Sequence, residues 1–350
     1  MIPFPTLELL PIMYKVSIIV PVYGVESYIE RCARSLFEQS YQDLDFVFVN
    51  DCTPDHSIEL LKEVINAYPE RVDSIKIISH EKNRGLAASR NTGLDHATGE
   101  FIMCVDSDDW LALGAVELLV KKQVENDADI VSGNRLVHYE DKDELLSEKS
   151  YKDGKQMTLQ VMQHTWDHFI TGRLFRRSLF VDNGLRWIEG YDVAEDRYMM
   201  TLLSYYSKLS DTVGEIVYYY EQGNINALTK AKDGRKIIRN NKQELGNLLS
   251  LEQFFRDKES IYQIECSRCV MEQLEYYLQA SIAYSSKEEF NHVIGLIDNR
   301  SDADLDLIGW EKQGIRGWAK HCFGYMVLMR YKKRAVRFIK RHLTAVSPHE

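Results

Sequence analysis

Asp106-Ser107-Asp108-Asp109 follows directly on the apolar run Phe101-Ile102-Met103-Cys104-Val105. A run of that length and composition reads as a buried strand. Carboxylates at i and i+2 in extended backbone point to the same side. At a strand's end such a pair can hold a divalent cation beside a diphosphate, because carboxylate and phosphate oxygens are both hard ligands that magnesium or manganese accepts. The spacing therefore points to phosphate-ester or nucleotide-sugar chemistry. A merely solvated acidic turn is the competing reading, so the surrounding elements carry the decision.

Those elements alternate. Val16-Ser17-Ile18-Ile19-Val20 reads as a buried strand stopped by Pro21. Ile29, Ala33, Leu36 and Phe37 share one helical face. Phe46 to Val49 is a second strand ending at Asn50-Asp51, Ile58, Leu61 and Ile65 mark a helix, and Ile75 to Ile78 is a third strand. A helix over about Ala87–Ala97 leads to the fourth strand, Phe101–Val105. All-apolar strands alternating with helices imply a mostly parallel sheet covered on both faces. Ligands bind at the carboxyl ends of such strands. Pro21-Val22-Tyr23, Asp51 and Asp106-Ser107-Asp108 all fall there. A helix over 115–126 and a strand at Ala128–Val131 follow. Residues 140–160 are charged and read as a loop or an edge hairpin. Strand signals vanish from about Asn240, and Val270, Leu274, Tyr277, Leu278 and Ile282 keep a helical period.

The bulk numbers agree. The chain has 350 residues, 45% hydrophobic and 27% charged, which is ordinary globular composition. A net charge of −10 argues against a general nucleic-acid binder. Six scattered cysteines fit a reducing cytosol rather than a disulfide framework. Cys266 and Cys269 form a CxxC inside a predicted helix, with no second pair to complete a zinc site. Residues 1–13 read as an irregular extension, and Met13 is a candidate translation start. No stretch approaches the length of a transmembrane helix.

At this point the chain resembles family-two glycosyltransferases. The resemblance is carried by Val16 to Tyr23, by Asn50-Asp51-Cys52-Thr53-Pro54-Asp55, by Asn83-Arg84-Gly85-Leu86-Ala87-Ala88-Ser89-Arg90-Asn91 and by Asp106-Ser107-Asp108-Asp109-Trp110, in that order over about residues 15–230. It implies an α/β, Rossmann-like nucleotide-diphospho-sugar transferase domain of the A-type glycosyltransferase fold, followed by a C-terminal helical region. The expected division is an extension at 1–13, a catalytic domain at 14–235 and a helical region at 236–350. Within the catalytic domain, 14–110 would form the nucleotide-binding half and 111–235 the acceptor half. The implied activity is inverting transfer of a hexose from a nucleotide sugar, a UDP-sugar first, to a hydroxyl of a glycan or lipid-linked acceptor, in cell-surface polysaccharide synthesis.

The resemblance also implies roles. Pro21, Val22, Tyr23, Glu26, Asp51, Asn83, Gly85, Arg90, Asp106, Ser107 and Asp108 would bind the donor. Asp51 would accept from the uracil ring, or else cap the next helix. Arg90 would reach the base or the phosphates, or else stand solvated on its helix. Asp106 and Asp108 would hold Mn2+ or Mg2+, with Asp106 on the ribose; Asp109 would supply a ligand instead or cap the turn. Gly190 to Asp196 looks like the family's Glu-Asp motif. Asp196 would then be the general base, with Glu195 beside it, and helix-end charge is the plainer reading of either. Asp192 is a further candidate. Trp110, Arg173 and Trp187 would meet the acceptor, and Trp166 is another sugar platform. Relatives often carry lysine where Arg173 stands. Many also carry a histidine near Tyr219, so ligation here would rest mainly on Asp108, with waters and phosphates. Lys230, Lys232, Arg235 and Lys236 are either a basic loop closing over the diphosphate or a solvated charge run.

Arg330, Lys332, Lys333, Arg334, Arg337, Lys340 and Arg341 include no acid between them and face away from Leu328, Tyr331, Ala335, Phe338, Ile339 and Leu343 on a helical wheel. A basic amphipathic helix over 326–343 predicts peripheral contact with an anionic membrane, and a cytoplasmic protein at the inner face of the cell membrane. A helix packed on its own domain is the other reading. Two further functions compete: a nucleotidyltransferase, which would need a Gly- and Lys/Arg-rich loop after the first strand, and a non-catalytic nucleotide-sugar or glycan-binding relative. Pro21 to Glu26 is not such a loop, and the intact acidic motifs argue against the second.

Overall fold

The computed structural model describes residues 14–163, 168–224, 227, 230, 233–284, 286–301 and 304. The extension, Met13, Trp166 and the basic tail lie outside the described residues. The chain divides into two compact units, the first running to Ala227 and the second from Leu228.

The first unit is built on nine strands among the described residues: β1 Val16–Val22, β2 Leu44–Asn50, β3 Ile75–Ser79, β4 Phe101–Cys104, β5 Trp110–Leu111, β6 Ile130–His138, β7 Asp143–Leu146, β8 Arg173–Arg176 and β9 Ser210–Glu221. They form one sheet in the order β3-β2-β1-β4-β8-β6-β9-β5, with β7 on β6. The β3-β2-β1-β4 half is entirely parallel. The other half mixes the parallel β6–β9 pair with antiparallel partners. Helices of this unit are α1 Ile29–Phe37, α2 Ser57–Asn66, α3 Leu86–His96, α4 Ala115–Asn126, α5 Gly154–Met162, α6 Arg177–Val181 and α7 Glu195–Tyr206.

The alternation of β1 decides the layers. Val16, Ile18, Val20 and Val22 point to the face that α1 covers with Ile29, Cys32, Ala33, Leu36 and Phe37, and all are buried. Ile19 points to the opposite face, under α3. A Cβ on Gly93 would come within 2.2 Å of Ile19 Cγ2, so glycine lets α3 lie close on the strand. Ala87 and Ala88 are fully buried for the same reason.

One expectation changes, and one element was not read from the sequence. Residues 140–160 contain the edge hairpin, as β7, and also α5, whose start Asp153 caps by accepting from Lys155 N. β9 is a twelve-residue strand with a register shift opposite Gly133–Arg135, and this break in alternation hides it from a period-two reading.

The second unit is helical: α8 Gly234–Phe255, α9 Ser260–Ala283 and α10 Lys287–Asp298. Cys266 and Cys269 are buried in α9. No helix among the described residues is long and apolar enough to cross a membrane.

Candidate active site at the carboxyl ends of the parallel strands

The parallel half brings the carboxyl ends of β1, β2 and β4 to one edge, and there the acidic motif turns. Asp109 N donates to Asp106 O at 3.0 Å, closing the turn. The three carboxylates then separate. Asp109 is 1% exposed; its Oδ2 accepts from Tyr218 Oη at 2.7 Å and its Oδ1 from Glu221 N at 2.8 Å. It anchors the turn to β9 and is not placed to ligate a cation. Asp108 Oδ2 accepts from Asn224 Nδ2 at 2.8 Å. Asp106 Oδ1 accepts from Arg90 Nη2 at 2.9 Å, and about a third of its side chain is exposed. Burial raises the carboxyls of all three, Asp106 to about 6; mutual repulsion adds to it for Asp106 and Asp109.

Arg90 sits on α3 with 1% exposure. Its Nη1 donates to Glu195 Oε1 at 2.7 Å and to Asp196 Oδ1 at 2.5 Å. Burial alone would lower its pKa, but Asp196, Asp106 and Glu195 outweigh it and raise it well above the usual value. Arg90 is therefore neither solvated nor extended toward an open pocket; it joins the acidic turn to the start of α7. Glu195 and Asp196 occupy the first turn of that helix, where backbone N–H groups favour negative charge. Burial, then Asp196, pushes the Glu195 carboxyl well up. Asp196 Oδ2 accepts from Ile170 N at 3.1 Å.

Asp51 is 3% exposed at the end of β2. It does not cap α2; it accepts from Arg84 N, Gly85 N and His80 Nδ1 at 2.7–2.8 Å and so shapes the loop before α3. Asp55 serves the start of α2, accepting from Ser57 N. Gly85 has φ +93°, and a Cβ there would lie 2.4 Å from Asp192 Oδ2, so glycine is required twice over. Asp192 Oδ1 accepts from Ala87 N in the first turn of α3. Pro21 and Val22 are in register with Val49 and Asn50, and Tyr23 is half exposed at the rim. Glu26 is exposed and accepts from His56 N. Asn83 is exposed beside this edge and Ser107 is buried in the turn.

The three acceptor expectations are corrected. Arg173 is 0% exposed and its Nη2 donates to both oxygens of Glu148 at 2.8 and 2.9 Å. Trp187 is 2% exposed, against Phe180 and Arg90. The Trp110 ring lies parallel to Tyr219 at 4.9 Å, with the Arg31 guanidinium 3.6 Å from its centroid, so it offers no free stacking face. Aromatic and cationic side chains near a motif look like sugar contacts in sequence, and the sheet has used these for packing. Asn224, Arg31 and Tyr218 were missed; Tyr218 is the fully buried residue of the run Tyr218-Tyr219-Tyr220, and its burial was the signal available.

A hard divalent ion fits what remains. No group of three or more His, Cys, Asp or Glu side chains among the described residues is arranged to hold a metal. Magnesium commonly takes only one or two carboxylates and completes its shell with phosphate and water. Asp106 and Asp108 offer that number.

Residues 17–184 match the family model described as Glycosyl transferase family 2. The chain is 42% identical over 120 residues to the glycosyltransferase GlyA of Streptococcus pneumoniae, a match covering 34% of this chain and 16% of that one. It is 31% identical over 223 residues to the uncharacterized glycosyltransferase EpsJ of Bacillus subtilis, covering 61% and 63%. The chain thus spans less than two thirds of the length of each. A crystal structure of S. aureus TarS residues 1–349 with UDP-GlcNAc superposes with a TM-score of 0.61 over 92% of both chains, at 17% identity. That likeness gives the fold, the A-type glycosyltransferase architecture with a helical region after it. Residues 17–184 are thus similar to glycosyl transferase family 2.

Proposed function

We propose that the chain is an inverting, metal-dependent hexosyltransferase that moves a sugar from UDP to a hydroxyl of a glycan or lipid-linked acceptor in cell-surface polysaccharide synthesis. One observation carries the reading: Arg90 joins the carboxylate of the acidic turn, Asp106, to Glu195 and Asp196, so the groups for leaving-group departure and for proton removal share one edge. The UDP-GlcNAc bound by TarS, which has the same fold, supports a UDP-sugar.

The catalytic domain is proposed to span 14–235, with 236–350 as the helical region. Pro21 to Tyr23, Glu26, Asp51, the loop Asn83–Gly85 and Ser107 would frame the donor. Asp106 and Asp108 would hold Mn2+ or Mg2+. That ion, when bound, would neutralise the departing diphosphate. Asp196 takes the acceptor proton as the acceptor oxygen bonds to the anomeric carbon and the bond from that carbon to the diphosphate oxygen breaks. One displacement of this kind inverts the anomeric centre. Arg90 and Ile170 N hold the two oxygens of Asp196, so its orientation is set before the acceptor arrives. Glu195 pairs with the same guanidinium and stands beside Asp196 as the second carboxyl of the motif.

Calorimetric binding of UDP, GDP and their common sugar conjugates, with and without manganese, tests this on wild type and Asp108→Ala. Metal-dependent binding of a UDP-sugar, lost in the variant, is expected. No nucleotide binding under any metal condition would overturn it in favour of a glycan-binding relative.

A further inference from the structure

His80 has no part in the scheme above, yet its side chain is 5% exposed and aimed at Asp51. Nδ1 lies 2.7 Å from Asp51 Oδ1, and Nε2 lies 2.9 Å from Thr92 Oγ1. A carboxylate oxygen only accepts, so Nδ1 carries the hydrogen and donates to Asp51, while Thr92 Oγ1 pairs with Nε2 on the far side of the ring. Asp51 Oδ1 also accepts from Arg84 N at 2.7 Å, and Oδ2 accepts from Gly85 N at 2.8 Å. A carboxylate offers about four acceptor positions, two on each oxygen. His80 and Arg84 fill Oδ1. Oδ2 keeps one position open.

We propose that His80 is a specificity-determining residue. By closing Oδ1 it leaves Asp51 a single acceptor position, which selects a nucleobase with one N–H on its recognition edge. The inference rests on the donor reading, in which Asp51 faces the base. Uracil presents one ring N–H between two carbonyls, and one acceptor position satisfies it. Guanine presents a ring N–H and an exocyclic amino group side by side; pairing both takes one position on each carboxylate oxygen. With Oδ1 filled, one guanine donor is buried without a partner. Adenine presents an unprotonated ring nitrogen there, which a carboxylate cannot satisfy. Thr92 acts one step further out, holding the ring so that Nδ1 and not Nε2 faces the carboxylate.

The test is calorimetric binding of UDP, IDP and GDP to the full chain in manganese, with competition against UDP. IDP is GDP without the exocyclic amino group, so ring size is matched. Wild type is expected to bind UDP most tightly and IDP about ten-fold more tightly than GDP, the scale of one buried donor left unpaired. His80→Leu reopens Oδ1 and is expected to close most of that gap. His80→Asn, whose Nδ2 can take the place of Nδ1, is expected to restore it. Wild type binding GDP as tightly as IDP overturns the proposal without any variant having to fold. If neither purine displaces UDP from wild type, His80→Leu decides: displacement by GDP supports the selector and its failure overturns it. Absence of binding by all three nucleotides overturns the donor reading and the selector with it. Metal-dependent UDP binding with IDP and GDP both bound, and equally tightly, overturns only the selector.

Discussion

Two arginine–carboxylate clusters lie in one sheet, and they differ in how far they are closed. Arg135 and Arg173, on the adjoining strands β6 and β8, share Glu148, and none of the three side chains is more than 1% exposed. Arg90 is buried as deeply, but its partners Asp106, Glu195 and Asp196 keep 32%, 10% and 14% of their side chains exposed. The first cluster is closed to solvent and ties a hairpin region to the sheet. The second opens at its rim, chiefly through Asp106. Burial of an arginine therefore says little about function; the accessibility of its carboxylate partners separates a clamp from a site.

The largest expected effect tests the open cluster. Asp196→Asn should lower kcat by about 10²–10⁴-fold, the usual worth of a general base, while calorimetric affinity for the donor stays near wild type. A loss below about ten-fold would move the base elsewhere. The sealed cluster should answer in the other currency. Glu148→Gln takes the shared carboxylate from two buried guanidiniums and should cost about 3 kcal/mol of stability in denaturant unfolding. Unchanged stability would erase the distinction drawn between the clusters.

A smaller effect follows from the raised carboxyl of Asp106. Burial, before its neighbours, brings it from 3.8 to about 6. The folded chain then holds a proton that the unfolded chain has already released between those values. The group's contribution to stability is thus present at the acid end and lost as pH rises through that window. In metal-free protein the melting temperature of wild type should fall relative to Asp106→Asn as pH rises from 4 to 6. Parallel profiles would show that Asp106 carries no raised proton.

Much of this was legible in the sequence because local patterns and global architecture agree. The apolar runs of β1, β2 and β4, interrupted by Pro21, Asp51 and Asp106, forecast both the parallel half and the edge where its polar ends meet. The antiparallel half was less legible. β9 breaks its alternation at a register shift, and α5 is a nine-residue helix marked only by Asp153 and the apolar positions Met157, Leu159, Val161 and Met162. Site readings failed where residue type was taken for exposure. Arg173, Trp187 and Trp110 have the chemistry of acceptor contacts, but only tertiary packing decides that the first two are buried and the third is covered. Arg90 failed in the opposite sense: no local pattern announces three carboxylates that arrive from Asp106, Glu195 and Asp196.

The finest test compares two glycines at the same edge. Gly24 and Gly85 both have positive φ, +69° and +93°. A Cβ on Gly24 would meet nothing within 4 Å, so Gly24→Ala should cost only the left-handed strain, about 1 kcal/mol. Gly85 combines φ +93° with ψ 170°, a region other residues rarely enter, and its Cβ would press on the Asp192 carboxylate. Gly85→Ala should cost about 2–3 kcal/mol. It should also weaken donor binding, because Gly85 N donates to Asp51 and Ala87 N to Asp192. Paired unfolding and UDP titrations of the two variants read both effects. Equal stability losses would mean that Asp192 yields freely. Equal UDP affinities would mean that the loop before α3 does not transmit its shape to the nucleotide.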